Sequence, residues 1–300
     1  MSFPITTSLR VVKEPQWVLE TTRGVMPDPA SFTWAGPIQD YSYTVDTNSV
    51  NYRKLGSPDL YKVIQNGQRF QFDLAYNPVD RVLLSKGVNL DSEDSTHNRE
   101  QSLSFLLSQE MNNAGSLAEH YIVAKGCSCD STTVDVSLEA VNVSQTWIAN
   151  DIPIPSTSEP ITTPTYATPG TQEPWTGITS GSDPLTWGGT SYTPRTFSAT
   201  VSHNTDQIQP LGEANVFATI PTIRDITFSF DIIHEDNTLV SDADSVTPKE
   251  LIYKLSTDTQ LKFTDAYITS YNEAISATST EAKTISYSGV ARSAVCESYT

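Results

Sequence analysis

Three hundred residues is about twice the common length of a single domain, so two domains of ordinary size are the expectation. Apolar residues make up 37% of the chain and charged residues 18%; with 13 Tyr and abundant Thr and Val, this balance favours pleated strands over helices. The formal charge of −17, divided as −6 over residues 1–150 and −11 over residues 151–300, comes with no basic cluster and excludes a protein that grips nucleic-acid phosphates.

The first 25 residues carry Arg10, Lys13, Glu14, Glu20 and Arg23 without an apolar run. No later stretch approaches the roughly 18 consecutive apolar residues of a membrane span, so neither a signal peptide nor a span is expected. Phe32-Thr33-Trp34-Ala35-Gly36 then opens a long polar hairpin from about Tyr41 to Tyr61. Beyond it Phe70, Phe72 and Leu74 alternate with polar residues, which places them on one face of a strand. A loop and a helix from about His97 to Met111 are predicted next, with Leu103, Leu106, Leu107 and Met111 as its apolar stripe. Val134, Val136 and Leu138 return the chain to strand. From about Ile152 to Pro184, seven prolines among Ser and Thr read as a linker or extended arm.

The same order of signals then recurs at an offset of roughly 155 residues, the mark of an internal duplication. Leu185-Thr186-Trp187-Gly188-Gly189 matches the first Trp motif, and Leu211-Gly212 matches Leu55-Gly56. A hairpin from about Tyr192 to Phe217 is the counterpart of the first, and Phe228-Ser229-Phe230-Asp231-Ile232 matches Phe70-Gln71-Phe72-Asp73-Leu74. Thr247-Pro248-Lys249-Glu250 has the form of a capping box with Pro at the first helical position, and Leu251, Ile252 and Leu255 supply an apolar stripe. Leu261 and Phe263 alternate as the closing strand. The expected architecture is mainly β: two tandem β-sandwich or barrel domains over residues 1–151 and 185–300, each with one flanking helix, joined by residues 152–184.

This unit, a Trp-Gly turn, a polar hairpin, an alternating strand, one helix and closing strands, resembles the tail tube (major tail) proteins of tailed viruses. The entry Val11-Val12-Lys13-Glu14-Pro15-Gln16-Trp17 followed by Thr21-Thr22-Arg23-Gly24-Val25-Met26-Pro27 is similar to that of many such proteins. The resemblance implies a structural virion protein, not an enzyme, that stacks as rings into the tube through which viral DNA is delivered. Two fused tube domains imply trimeric rings of pseudo-sixfold symmetry rather than hexamers. The partners implied are further copies of the chain, other tail proteins and passing DNA that is not specifically bound, with no membrane. Its place would be the virion tail, after assembly in the host cytoplasm.

Asp73 and Asp231 stand at matching positions with facing opposite to the Phe residues, which makes them candidates for lining the tube lumen. Thr44, Asn48 and Asn51 in the first hairpin, with Thr200 and Asn204 in the second, are candidates for ring-to-ring stacking. No metal, cofactor or catalytic residue is expected. Cys127-Ser128-Cys129 lacks a second ligand pair at zinc spacing and is read as loop thiols. His97, His120, His203 and His234 are scattered, and Asp40, Asp46, Asp91, Glu93 and Asp94 lack the order of a calcium loop. The competing reading is a virion adhesin or carbohydrate-binding β-sandwich, with the five Trp as sugar platforms.

Overall fold

The computed structural model describes residues 10–28, 30–53, 60–89, 102–113, 116–137, 140–153, 156–162, 164–168, 173–176, 183–208, 218–233, 238–273 and 284–299. Its strands are β1 (Arg10–Leu19), β2 (Thr33–Trp34), β3 (Ile38–Arg53), β4 (Leu60–Tyr76), β5 (Leu103–Asn113), β6 (Ser116–Val136), β7 (Val141–Ala149), β8 (Leu185–Trp187), β9 (Thr190–Tyr192), β10 (Pro194–Ser202), β11 (Thr205–Ile208), β12 (Ala218–Pro221), β13 (Asp225–Ile233), β14 (Lys249–Lys254), β15 (Thr259–Glu273) and β16 (Thr284–Ser298). Two short helices, α1 (Val82–Val88) and α2 (Thr238–Ala243), complete the described elements. The fold is mainly β, as the composition implies, and no described helix is long and apolar enough to cross a membrane.

Eight strands form one antiparallel run in the order β3-β4-β7-β6-β10-β13-β16-β15. It consists of two four-stranded blocks joined edge to edge where β6 meets β10. The N-terminal parts of β6 and β15 leave this run to pair with β5 and β14, giving the second layers β2-β1-β5-β6 and β9-β8-β14-β15. Aromatic contacts bridge the layers: Phe72 to Phe105 at 4.9 Å between ring centroids, and Phe197 stacked on Tyr253 at 4.0 Å. A single hydrophobic cluster runs through both halves, so the two blocks share one core rather than closing two separate ones.

The recurrence extends to irregularities. Register shifts fall at Ile38/Asp40 and Pro194/Thr196, at Leu103/Phe105 and Lys249/Leu251, and at Cys129/Ser131 and Ile268/Ser270. Positive φ recurs at Gly126 and Asp265, three residues before the last of these shifts. Aligning them makes Phe72, Leu74 and Tyr76 the counterparts of Phe228, Phe230 and Ile232, a two-residue displacement from the match read in the sequence. Asp73 therefore corresponds to Ser229 and Asp231 to Ala75, while Thr44 corresponds to Thr200. Trp17, opposite Phe105, takes the place of Trp187 opposite Leu251, whereas Trp34 lies one strand farther out.

Both helices differ from expectation. Leu103, Leu106 and Leu107 belong to β5, and Met111 falls in the same strand; the first helix lies earlier, at α1. The Thr247-Pro248-Lys249-Glu250 segment leads into β14, where Leu251 and Tyr253 are buried, and the second helix precedes it as α2. In both cases period-two alternation (Leu103, Phe105, Leu107; Leu251, Tyr253, Leu255) prevails over the helical stripe because a facing sheet buries that side. Cys127 and Cys129 are buried in β6 rather than exposed in a loop, and burial pushes the Cys127 thiol well up, with the Glu20 carboxylate adding and Arg23 opposing. Leu55-Gly56, Leu211-Gly212, Leu138, His97, His234, Asp91, Glu93 and Asp94 lie outside the described residues.

Described parts of the proline-rich segment between residues 156 and 168 fold back on the first half, and the residue before it does so too. Asp151 bridges Lys125, Ser156 bridges Tyr121 and Thr165 bridges Ser31. Ile161 joins Val18, Ala30, Phe32, Leu106 and Val123 in a second apolar cluster on the outer side of the β1-β5-β6 layer, where Tyr166 stacks on Phe32.

Candidate functional site

In an antiparallel pair, residues directly opposite share a face. In the eight-stranded run one face carries Phe70, Phe72, Leu74, Val134, Val136, Phe197, Ala199, Val201, Phe228 and Phe230, all buried in the core. The opposite face carries Ser42, Thr44 and Asp46 of β3, Gln71 and Asp73 of β4, Ser144 and Thr146 of β7, and Thr133 and Asp135 of β6. It continues through Thr196, Ser198 and Thr200 of β10, Thr227, Ser229 and Asp231 of β13, and Ser286 and Ser288 of β16. Hydroxyls and carboxylates thus pave the whole width of the sheet.

These groups are organised by one another. Asp73 accepts from Thr146 Oγ1 at 2.8 Å, from Gln71 Nε2 at 3.0 Å and from Ser42 Oγ at 3.4 Å. Asp231 accepts from Thr196 Oγ1 at 2.8 Å, and Asp135 from Ser198 Oγ at 2.6 Å. Thr133 and Thr200 meet through their hydroxyls at 3.0 Å across the β6–β10 junction. Cross-strand hydroxyl-to-carboxylate pairs of this kind hold each charge in place without neutralising it. Tyr41 borders the groove containing Asp73; burial raises its phenol, with Tyr43 and the Asp40 carboxylate adding, so it stays neutral there.

Among the described residues, cations reach this face only at its margins: Arg69 lies opposite Asp46, and Arg195 in the β10 bulge donates to Thr284 Oγ1. No group of three His, Cys, Asp or Glu that would hold a metal gathers among the described residues. His203 is buried, its Nε2 2.8 Å from the Gly87 carbonyl oxygen. The arrangement is suited to holding a broad, hydrated, anionic surface.

Asp73 and Asp231 both lie on this face, on different rows of it. Thr44 is exposed on β3, and Asn48 and Asn51 lie farther along the same strand. Thr200 sits inside the sheet, paired on both sides and not on a projecting hairpin. Asn204 is exposed in a left-handed turn at φ 47°, with Nδ2 donating to Ile223 O and to Asp225. β11 and β12 pair with each other and lean on the interior of β6, where Thr205 Oγ1 donates to the Cys129 carbonyl and the Thr219 and Ser128 hydroxyls meet. Sequence reasoning missed Ser198, Asp135, Thr133 and Thr146; their signal was the repeated Ser/Thr/Asp at alternate positions of four strands. No family model matches the chain, and no curated protein matches it.

Proposed function

We propose that this chain is a structural subunit of a viral tail tube, stacked as rings around a channel through which DNA slides. The observation that carries the reading is the eight-stranded sheet: a hydroxyl and carboxylate face spanning two like four-stranded blocks, with edge strands β3 and β15 at its ends. A sheet that repeats its own block and ends, among the described residues, in strands paired on one side is built to continue in a second copy. Closing such a sheet on itself places one face inside, and the anionic hydroxyl face repels phosphates and keeps a sliding duplex from sticking. Trimeric rings would give pseudo-sixfold symmetry from two blocks per chain, and three chains of −17 carry a formal −51. Asp73 and Asp231 are the lumen-lining residues in this reading. The carbohydrate-binding alternative has less support, because Trp17, Trp147 and Trp187 are buried in the core and offer no platform.

Negative-stain microscopy of the purified chain tests this directly: hollow rings or filaments are expected, whereas discrete monomers with glycan affinity would favour the adhesin. The double variant Asp73→Lys with Asp231→Lys should fold and assemble yet lower infectivity by about ten-fold or more, since lysines on the wall would capture phosphates. Unchanged infectivity in assembled particles would remove both residues from the lumen.

A further inference from the structure

The β6–β10 junction is an internal template for contact between chains. β3 is the counterpart of β10, and β15 the counterpart of β6, so the outermost strands of the run, among the described residues, are the two strand types that already pair within the molecule. Inside the chain Ser131 lies opposite Ser202, Thr132 opposite Val201, Thr133 opposite Thr200 and Val134 opposite Ala199. The matched register shifts carry these positions to Ser270, Tyr271, Asn272 and Glu273 on β15 and to Asp46, Val45, Thr44 and Tyr43 on β3. Resting on the tube reading, we infer that β15 pairs antiparallel with β3 of a second copy, with Ser270 opposite Asp46, Tyr271 opposite Val45, Asn272 opposite Thr44 and Glu273 opposite Tyr43.

Burial supports this register independently. Thr132, Val201 and Ala199 are 1%, 3% and 3% exposed at the internal junction. Their counterparts Tyr271, Val45 and Tyr43 are 42%, 42% and 37% exposed, although each points to the core side of the sheet. Three large apolar side chains are therefore left bare where the internal junction is covered, and the proposed register brings all three together. Neither Tyr43–Asp46 nor Tyr267–Glu273 contains the Lys or Pro that commonly blunts a free edge. On the other face Asn272 and Thr44 stand where Thr133 and Thr200 share their hydroxyl contact. Thr44 thus serves pairing around a ring, not stacking between rings.

Cysteine pairs test the register in the full chain, whose three native thiols are buried. Thr44→Cys with Asn272→Cys should give intermolecular disulfides on mild oxidation, because directly opposed cross-strand positions meet the distance a disulfide requires. Ser42→Cys with Asn272→Cys, two residues out of register, should cross-link at least about five-fold less. Val45→Lys, at an exposed site, should leave the far-UV circular dichroism intact and the chain monomeric in sedimentation. Hollow rings without the in-register cross-link, or a Val45→Lys chain that assembles like its parent, would overturn the seam while leaving the tube reading standing. In-register cross-links in open ribbons without a channel would support the seam and defeat the tube. A chain that neither assembles nor cross-links would overturn both.

Discussion

Glu20 shows how much one side chain can organise. It is buried, yet its carboxylate accepts from the backbone N–H groups of Gly24 and Gly126 and from the hydroxyls of Ser102 and Ser104. It ties the end of β1, the start of β5 and the left-handed bend of β6 to one point. Satisfying a buried charge with four donors offsets its desolvation. Glu20→Ala leaves those donors facing a void and should cost about 3 kcal/mol, read as a lower urea midpoint at unchanged slope. A loss below about 0.5 kcal/mol would mean that water replaces the carboxylate at little cost. A Glu next to a Thr-Thr-Arg-Gly turn announces little of this in the sequence, because all its partners but Gly24 lie 82 to 106 residues away.

At the level of elements, the two blocks fill the same position by opposite means. Trp147 stands opposite Phe72 in the first block, and its counterpart Gly289 stands opposite Phe228 in the second. A Cβ at Gly289 would lie 2.3 Å from both Phe228 Cζ and the Tyr267 carbonyl oxygen, so the phenyl ring occupies the volume that Trp147 fills in the first block. Gly289→Ala should therefore cost at least about 2 kcal/mol, since backbone cannot move aside as a flexible side chain does; a thermal melt of the purified variant checks it, and an unchanged midpoint would mean that both the ring and the Tyr267 backbone give way freely. This large-for-small exchange also explains the limits of the sequence reading. Alternation identified Phe70–Leu74 and Phe228–Ile232 as strands because period two survives any substitution that keeps polarity. It did not fix the register, because Phe-x-Phe-Asp at both sites offers a match two residues away from the one the bulges define. The helices were misplaced for a related reason: Leu251 and Leu255 fit a helical stripe with Ile252 and a strand alternation with Tyr253, and the facing layer decides between them. The candidate site was legible only in part, since Asp73 and Asp231 alternate visibly against Phe, whereas their hydroxyl donors come from neighbouring strands.

For the whole molecule, the question is whether two like blocks behave as one body. The contacts at their junction say that they do. α1 has Leu83 through Val88 buried and is held against the second half at its C-terminal end. Asn89 exchanges two hydrogen bonds with the Cys296 backbone, at 3.0 and 2.7 Å. Arg224 donates to the carbonyls of Val88 and Ala294, and His203 meets Gly87. α2, its counterpart in the second block, buries only Leu239 among its described residues. Because one continuous core and one sheet cross the junction, neither half can unfold without exposing the other, and cooperativity should extend over the full length. Urea unfolding at low protein concentration, where copies are separate, should then give coincident transitions by tryptophan fluorescence, which reports all five tryptophans, Trp17, Trp147 and Trp187 in the core among them, and by far-UV circular dichroism. Asn89→Ala should lower the stability by about 1–3 kcal/mol, read as a lower urea midpoint with no split in the transition, because it removes two bonds to buried backbone and leaves the shared core in place. Two resolved transitions in the parent chain would mean that the β6–β10 junction is only a docking contact, and an intermolecular seam of the same pattern would be correspondingly weak. A rising midpoint with protein concentration would then measure how much the intermolecular seam adds to the internal one.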